Sequence, residues 1–162
     1  MGYVMVEDKL FTKPSSFAHE ESRLVMSIAT FTDFKKVLEK VFDTGATVIL
    51  YEAGVGCGRL AYRRIAGHIS GKEEILEAFM NLKSEENWGK MTFKLNLEYG
   101  KGYVIVKDSF ESRFYGFSST PTCHYIRGYL TGFLSEFFGR KVEVKEIRCV
   151  SMGHKNCIFE VE

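Results

Sequence analysis

Apolar positions recur at helical spacing in three stretches of this chain and at strand spacing in four others. Over residues 32–43, Phe34, Val37, Leu38 and Val41 repeat at intervals of three and four, and Gly45 follows as a stop. Thr30 and Asp33 have the spacing of a capping box, although the usual partner there is Glu or Gln. Over 72–86, Ile75, Leu76, Phe79 and Leu82 form one face and the charges form the other. Thr122 to Phe138 reads as a long helix begun near Pro121, where a first turn tolerates proline, and ended by Gly139.

Between these stretches the period changes to two. Met91, Phe93, Leu95 and Leu97 alternate with Thr92, Lys94 and Asn96, the pattern of a half-buried strand. Tyr99-Gly100-Lys101-Gly102 reads as a hairpin turn into the strand YVIVKD. Strands at about 141–149 and 157–161 close the chain as a second hairpin, and 108–120 is an aromatic, serine-rich loop. Residues 1–16 read as a short strand, Tyr3 to Val6, and a polar loop.

Two segments are ambiguous. ATVILYEAG, 46–54, is β-branched and fits a strand or a buried helical turn; GCGRLAYRRIAG, 56–67, reads as a packed helix ending near Gly67, with Leu60 and Ile65 as its apolar positions. Together the elements predict an α+β domain, a mainly antiparallel sheet packed against helices.

Composition narrows the class. The 162 residues fit one domain, and 45% hydrophobic with 14% aromatic residues supply a real core. A net charge of +1 with no basic stripe argues against nucleic acid as a partner. No apolar run approaches the roughly 18–20 residues of a membrane span. The N-terminus lacks the pattern of a secretion signal, so a cytoplasmic location is expected. In that reducing compartment clustered cysteines are more often metal ligands than disulfides.

The chemistry concentrates near the C-terminus. Cys123 starts the long helix; Glu146 and Cys149 lie on the next strand, and Cys157 follows the turn VSMGHKN. Alternation from Val142 and Val144 puts Glu146 on the apolar face, where a carboxylate is costly unless paired or bound to a cation. Cys149 has the opposite parity, so both reach one metal only if a bulge redirects the strand, and such an irregularity is predicted. At a helix N-terminus the dipole favours the thiolate of Cys123. On spacing alone a Cys149–Cys157 disulfide and three inert thiols stay open, and His154 rivals Glu146 as fourth ligand. His124 projects about 100° away from Cys123 on the helix.

These residues carry a resemblance. Cys123, Gly128 and Gly132 on a helix, Glu146-Ile-Arg-Cys149, Gly153, and Cys157-Ile-Phe-Glu-Val look like the C-terminal half of a V4R (4-vinyl reductase) domain. Ala53-Gly54, Gly58-Arg59 and Asp108-Ser109 also match, and the resemblance extends over roughly residues 30–162. It implies that Cys123, Glu146, Cys149 and Cys157 are zinc ligands, which favours Glu146 over His154. Through the related ligand-binding fold of vesicle-tethering (TRAPP-like) subunits, it implies a layered domain with a hydrophobic pocket, often homodimeric. The expected layout is a single V4R-like domain over 1–162, with 1–30 an N-terminal extension and 120–162 the zinc-binding helix and hairpin.

Other motifs add less. Gly54-Val-Gly56-Cys57-Gly58 lacks the spacing of a phosphate loop and reads as close helix packing, with Cys57 a buried free thiol. Phe110, Phe114, Tyr115 and Phe117, then Tyr125, Tyr129, Phe133 and Phe137, fit ordinary core and surface packing, or else the lining of a pocket for an apolar or planar ligand. Ser109, Arg113 and Arg127 are the polar groups near them. No catalytic constellation is evident, and a zinc with four protein ligands has no open position. The expected function is a zinc-binding domain that binds or senses a small hydrophobic or aromatic ligand, with no attached effector. The alternatives are an enzyme or accessory factor in tetrapyrrole vinyl-group reduction, and a structural protein-interaction module.

Overall fold

The computed structural model describes residues 24–162; the strand expected at Tyr3–Val6 lies outside them. Three helices precede a hairpin, then come one more helix and a second hairpin: α1 (Ile28–Phe42), α2 (Thr44–Ala66), α3 (Lys72–Glu85), β1 (Lys90–Asn96), β2 (Lys101–Lys107), α4 (His124–Phe138), β3 (Val144–Arg148) and β4 (Cys157–Val161). The four strands form one sheet in the order β1-β2-β4-β3, antiparallel throughout. The α+β architecture with an antiparallel sheet is therefore as expected.

The ambiguous stretch resolves as one helix. α2 runs unbroken from Thr44 to Ala66, through the segment that strand propensity had left open, and ends at Gly67 as expected. Its glycines explain why helix wins over a β-branched sequence. A Cβ on Gly54 would strike the carbonyl of Tyr125, and one on Gly58 the carbonyl of Tyr129. Reciprocally, Gly128 and Gly132 of α4 face the carbonyls of Tyr51 and Val55. Four glycines thus let two helix backbones touch, as small residues four apart do in other closely packed helix pairs. Cys57 is exposed, not buried as expected, because it lies at the rim of this contact rather than between the backbones, with its thiol against the Tyr125 side chain.

α4 is buried almost all round, from Ile126 to Phe137, so it is the central layer. α2 covers one side; on the other, Leu130, Phe133 and Leu134 join Val104, Val106, Phe159 and Val161 of the sheet in one core. Pro121 lies before the helix rather than in its first turn: Cys123 is the N-cap, and Gly139 at φ 64° closes the C-terminus.

α1 departs most from expectation. It starts earlier, at Ile28, because the Ser27 side chain accepts the Thr30 N–H; Thr30 is inside the helix and not its cap. Its apolar stripe faces outward: Phe34, Val37 and Val41 are exposed, while Thr32 and Lys35 are buried.

Candidate metal centre

The first turn of α4 and the closing hairpin meet at four side chains. The thiols of Cys123, Cys149 and Cys157 and a carboxylate oxygen of Glu146 all lie within 4.8 Å of one another. The sulfurs are 3.9 Å (Cys123–Cys149), 3.6 Å (Cys123–Cys157) and 3.8 Å (Cys149–Cys157) apart, and all three are free thiols.

The strand reaches this point through the irregularity that parity demanded. Glu146 pairs with Phe159, but Arg148 pairs with the adjacent Ile158, so Ile147 is an extra residue. That bulge shifts the alternation by one, which brings Cys149 to the same side as Glu146. Beyond Cys149 a single 3-10 turn, Val150–Met152, and Gly153 at φ 87° return the chain to Cys157. His154 is exposed and its N–H bonds the Cys149 carbonyl, so it stands outside the group.

Electrostatics let the group ionise fully only beside a cation. Burial, followed by the negative charge on Cys149, pushes the Glu146 carboxyl up to about 9. Burial raises the Cys123 thiol well above its ordinary value. At Cys157 the contact with Cys123 pulls down, but Cys149 and burial together push it up to about 12. Only Cys149 moves down, held as thiolate by its two neighbouring thiols. Four potential anions in one buried space cannot all ionise unless a positive charge neutralises them. Glu146 itself shows the gap: Oε2 accepts the Cys123 N–H at 2.9 Å, whereas the buried Oε1 has no partner. Three soft sulfurs, one carboxylate and one orphaned buried oxygen fit a metal ion, and these four residues would hold it.

Around the group lies a shell that the sequence did not disclose. Ser151 Oγ sits 3.0 Å from Cys149 Sγ, Ser112 Oγ 3.2 Å from Cys157 Sγ, and Ser109 Oγ 3.5 Å from Cys123 Sγ. Ser109 thus serves the thiols rather than a ligand pocket. Glu111, fully buried, accepts the N–H groups of Tyr125 and Ile126 and so caps α4 where Cys123 begins it. Lys35 of α1 donates to Glu111 Oε1 at 3.1 Å and to the Thr122 carbonyl. Nothing sets Lys35 apart in the sequence from Lys36 and Lys40 of the same helix, so the pair carried no local signal.

A second concentration of side chains lies further along α4. Trp88 stands against Phe110 (5.0 Å between ring centres), Tyr125 (5.6 Å) and Tyr129 (4.7 Å), and Phe31 of α1 packs on Phe110 at 4.9 Å. The buried Lys83 ammonium lies 4.2 Å from the Trp88 ring centre and 4.6 Å from that of Tyr129, bonded to Glu86 at 2.6 Å. Of the loop aromatics only Phe110 enters this cluster; Phe114 and Phe117 are exposed. Arg113 lies over Phe114, and Arg127 lies over Tyr51 with its Nε unpartnered.

Comparison with known proteins agrees with this architecture. Residues 103–162 match the V4R domain family. The chain is 29% identical over 126 residues to the uncharacterised protein MJ1460 of Methanocaldococcus jannaschii, covering 78% of this chain and 72% of that protein. A second protein of that organism, the uncharacterised MJ1642, is 39% identical over 41 residues, about a quarter of each chain. Among solved structures, the phenol-responsive sensory domain of the transcription activator PoxR, with phenol, superposes at a TM-score of 0.75, with 23% identity over 88% of this chain and 77% of that one. A vinyl-4-reductase family protein of M. jannaschii superposes at 0.62, with 24% identity over 89% and 84%. At these identities the likeness shows the fold. Among the described residues no helix is long and apolar enough to cross a membrane.

Proposed function

We propose that this chain, a V4R domain over residues 103–162, is a small-molecule sensing or binding module for an aromatic ligand, held together by zinc. The observation that carries the ligand reading is the cluster of Trp88, Phe110, Tyr125, Tyr129 and Phe31 beside the buried Lys83. Ring faces of this kind suit a planar apolar guest, and a few polar groups then orient it. The shared fold with a domain that responds to phenol supports the same reading.

Zinc is the metal we assign to Cys123, Glu146, Cys149 and Cys157. Thiolate–zinc bonds of about 2.3 Å in a tetrahedron separate the sulfurs by about 3.8 Å. The three sulfur separations here run from 3.6 to 3.9 Å. Bound there, zinc supplies charge neutralisation and cross-linking rather than a reactive open position. The residues do the positioning: Cys123 anchors α4, Cys149 and Cys157 anchor the hairpin, and Glu146 ties its oxygen to the helix N-terminus.

The ligand reading has a built-in reporter, because Trp88 is the single tryptophan of the chain. Titration with phenol should change its fluorescence saturably, and Tyr129→Leu should abolish the response while metal content holds. No saturable change up to millimolar phenol, cresol or catechol would remove the support for this reading.

A further inference from the structure

We propose that the solvent face of the β1–β2 ribbon is a second binding site, one that takes single-stranded nucleic acid by its phosphates and by stacking on one tyrosine. The site lies on the side of the sheet away from α4, and it is independent of the proposed ligand and metal sites.

The alternation that builds the sheet also sorts its charges. Met91, Val104 and Val106 turn toward the core, so Lys90, Thr92 and Lys94 of β1 take the other side with Lys101, Tyr103, Ile105 and Lys107 of β2. These two strands give that face four lysines and no carboxylate. Along the chain the lysines are spaced out by apolar and uncharged residues, so no basic stripe is visible until the strands pair. The register sets Lys90 directly opposite Lys107, and Lys94 opposite Tyr103. Like charges directly opposite destabilise a sheet. Protection of an exposed edge explains lysines on β1 but not on β2, which has a strand on either side. Among the described residues Lys90, Lys94 and Lys107 form no ion pair. An anion seated between Lys90 and Lys107 converts their repulsion into attraction.

The rest of the face supplies no further net charge at its edge but does supply a platform. Lys145 of β3 bonds Glu162 at 2.9 Å and Glu143 at 3.5 Å, so that corner is neutralised by its own pairs. In the middle, Ile105 pairs with Ile158 and Tyr103 with Glu160. The Tyr103 hydroxyl lies 3.4 Å from the Glu160 carboxylate, which tilts the ring across the sheet toward β4, and the residue is 43% exposed. An exposed ring beside branched apolar side chains, with cations along one border, suits an unstacked base whose phosphates follow the lysines. An acidic protein or an anionic lipid surface would use the lysines and leave the ring idle. From Lys101 to Lys107 the ribbon runs about 20 Å, room for about four nucleotides.

Fluorescence anisotropy of a labelled oligouridylate of about twelve nucleotides, titrated with the metal-loaded full chain, tests the proposal. Binding should saturate in the micromolar range at about 50 mM salt, and log K should fall against log salt with a slope of about −3, four phosphates at about −0.7 each. Lys107→Glu should weaken binding by about tenfold or more and make the slope shallower by about one. Its melting temperature should hold or rise, because opposite charges then face each other at Lys90, and that sign separates a lost site from a lost fold. Tyr103→Leu should weaken binding by about tenfold with the slope unchanged, as a lost stack does. Lys40→Ala, on α1, should change neither. An oligouridylate that does not bind, or binding that Lys107→Glu or Tyr103→Leu leaves intact, overturns the proposal. So does equally good displacement by polyglutamate of matched charge, which would mark a site for acidic protein. Retention on phosphatidylserine vesicles without oligouridylate binding would mark a membrane surface and overturn it as well.

Discussion

Two neighbouring regions of one helix are built on opposite principles. At the start of α4, polar groups converge: three thiols, a half-satisfied carboxylate and a capping glutamate, each aimed by a hydrogen bond or a bulge. Beside it, Tyr125 and Tyr129 of the same helix meet Trp88 and Phe110 mainly through ring contacts. The first arrangement depends on the donor atom each side chain presents. The second tolerates volume-conserving changes because dispersion and ring contacts are non-directional. On the proposed function, one region of α4 would have to stay fixed and the other admit a guest, and these needs are opposite.

The largest effect should come from breaking the clasp. Cys149→Ser should eliminate stoichiometric metal and lower the melting temperature steeply, since structural zinc contributes roughly 10 kcal/mol or more of folding energy in small domains. Equal metal content and melting temperature in this variant would separate the cysteines from folding and dissolve the comparison. Acidification should act in the same direction, because a metal leaves as its thiolates and carboxylate take up protons.

Gly58→Ala comes next. Its Cβ would meet the Tyr129 backbone rather than a movable side chain, so α2 and α4 must separate, at a cost of about 2–3 kcal/mol. Because α4 carries both regions, denaturation should show lower stability while phenol response and metal affinity weaken together. If only one weakens, the helix does not connect them rigidly.

Tyr129→Leu should cost about 1–2 kcal/mol and leave the metal in place while the phenol response disappears. Lys83→Met should be smaller still and of opposite sign. Burial is the main cause that depresses the Lys83 amine below its ordinary 10.5, only partly offset by Glu86. A base with a depressed folded-state pKa binds protons more readily when unfolded, so its cost is present at neutral pH and fades as pH rises toward 10.5. Replacing it should leave stability unchanged or raise it by about 1 kcal/mol at neutral pH, and should flatten the gain seen on raising pH. Arg63→Ala, which breaks a largely exposed pair with Glu136, should change stability by less than about 0.5 kcal/mol.

The sequence made the clasp legible and the aromatic cluster mostly illegible, for a physical reason. Ligand identity is written in residue type, and the parity conflict between Glu146 and Cys149 even required the bulge now found at Ile147. Membership of the ring cluster depends instead on which elements the topology brings together. Trp88 precedes β1 and Phe31 sits on α1, so neither had a local signal, whereas Phe114 and Phe117 carried the signal and lie outside. α1 was misjudged on the same ground: an apolar stripe at helical spacing implies a covered face, but a buried Lys35–Glu111 pair decided which face turned inward. The single α2 helix was hidden because strand propensity at 47–51 competes with close glycine packing that becomes visible only beside α4.

The most direct test of a clasp that holds while the neighbouring rings respond is X-ray absorption at the zinc edge, recorded without and with phenol. The expected spectrum has three sulfurs at about 2.3 Å and one oxygen at about 2.0 Å, unchanged by phenol while Trp88 fluorescence shifts. Fewer than three sulfurs, a coordinated water, or a zinc shell that changes when phenol binds would contradict the account.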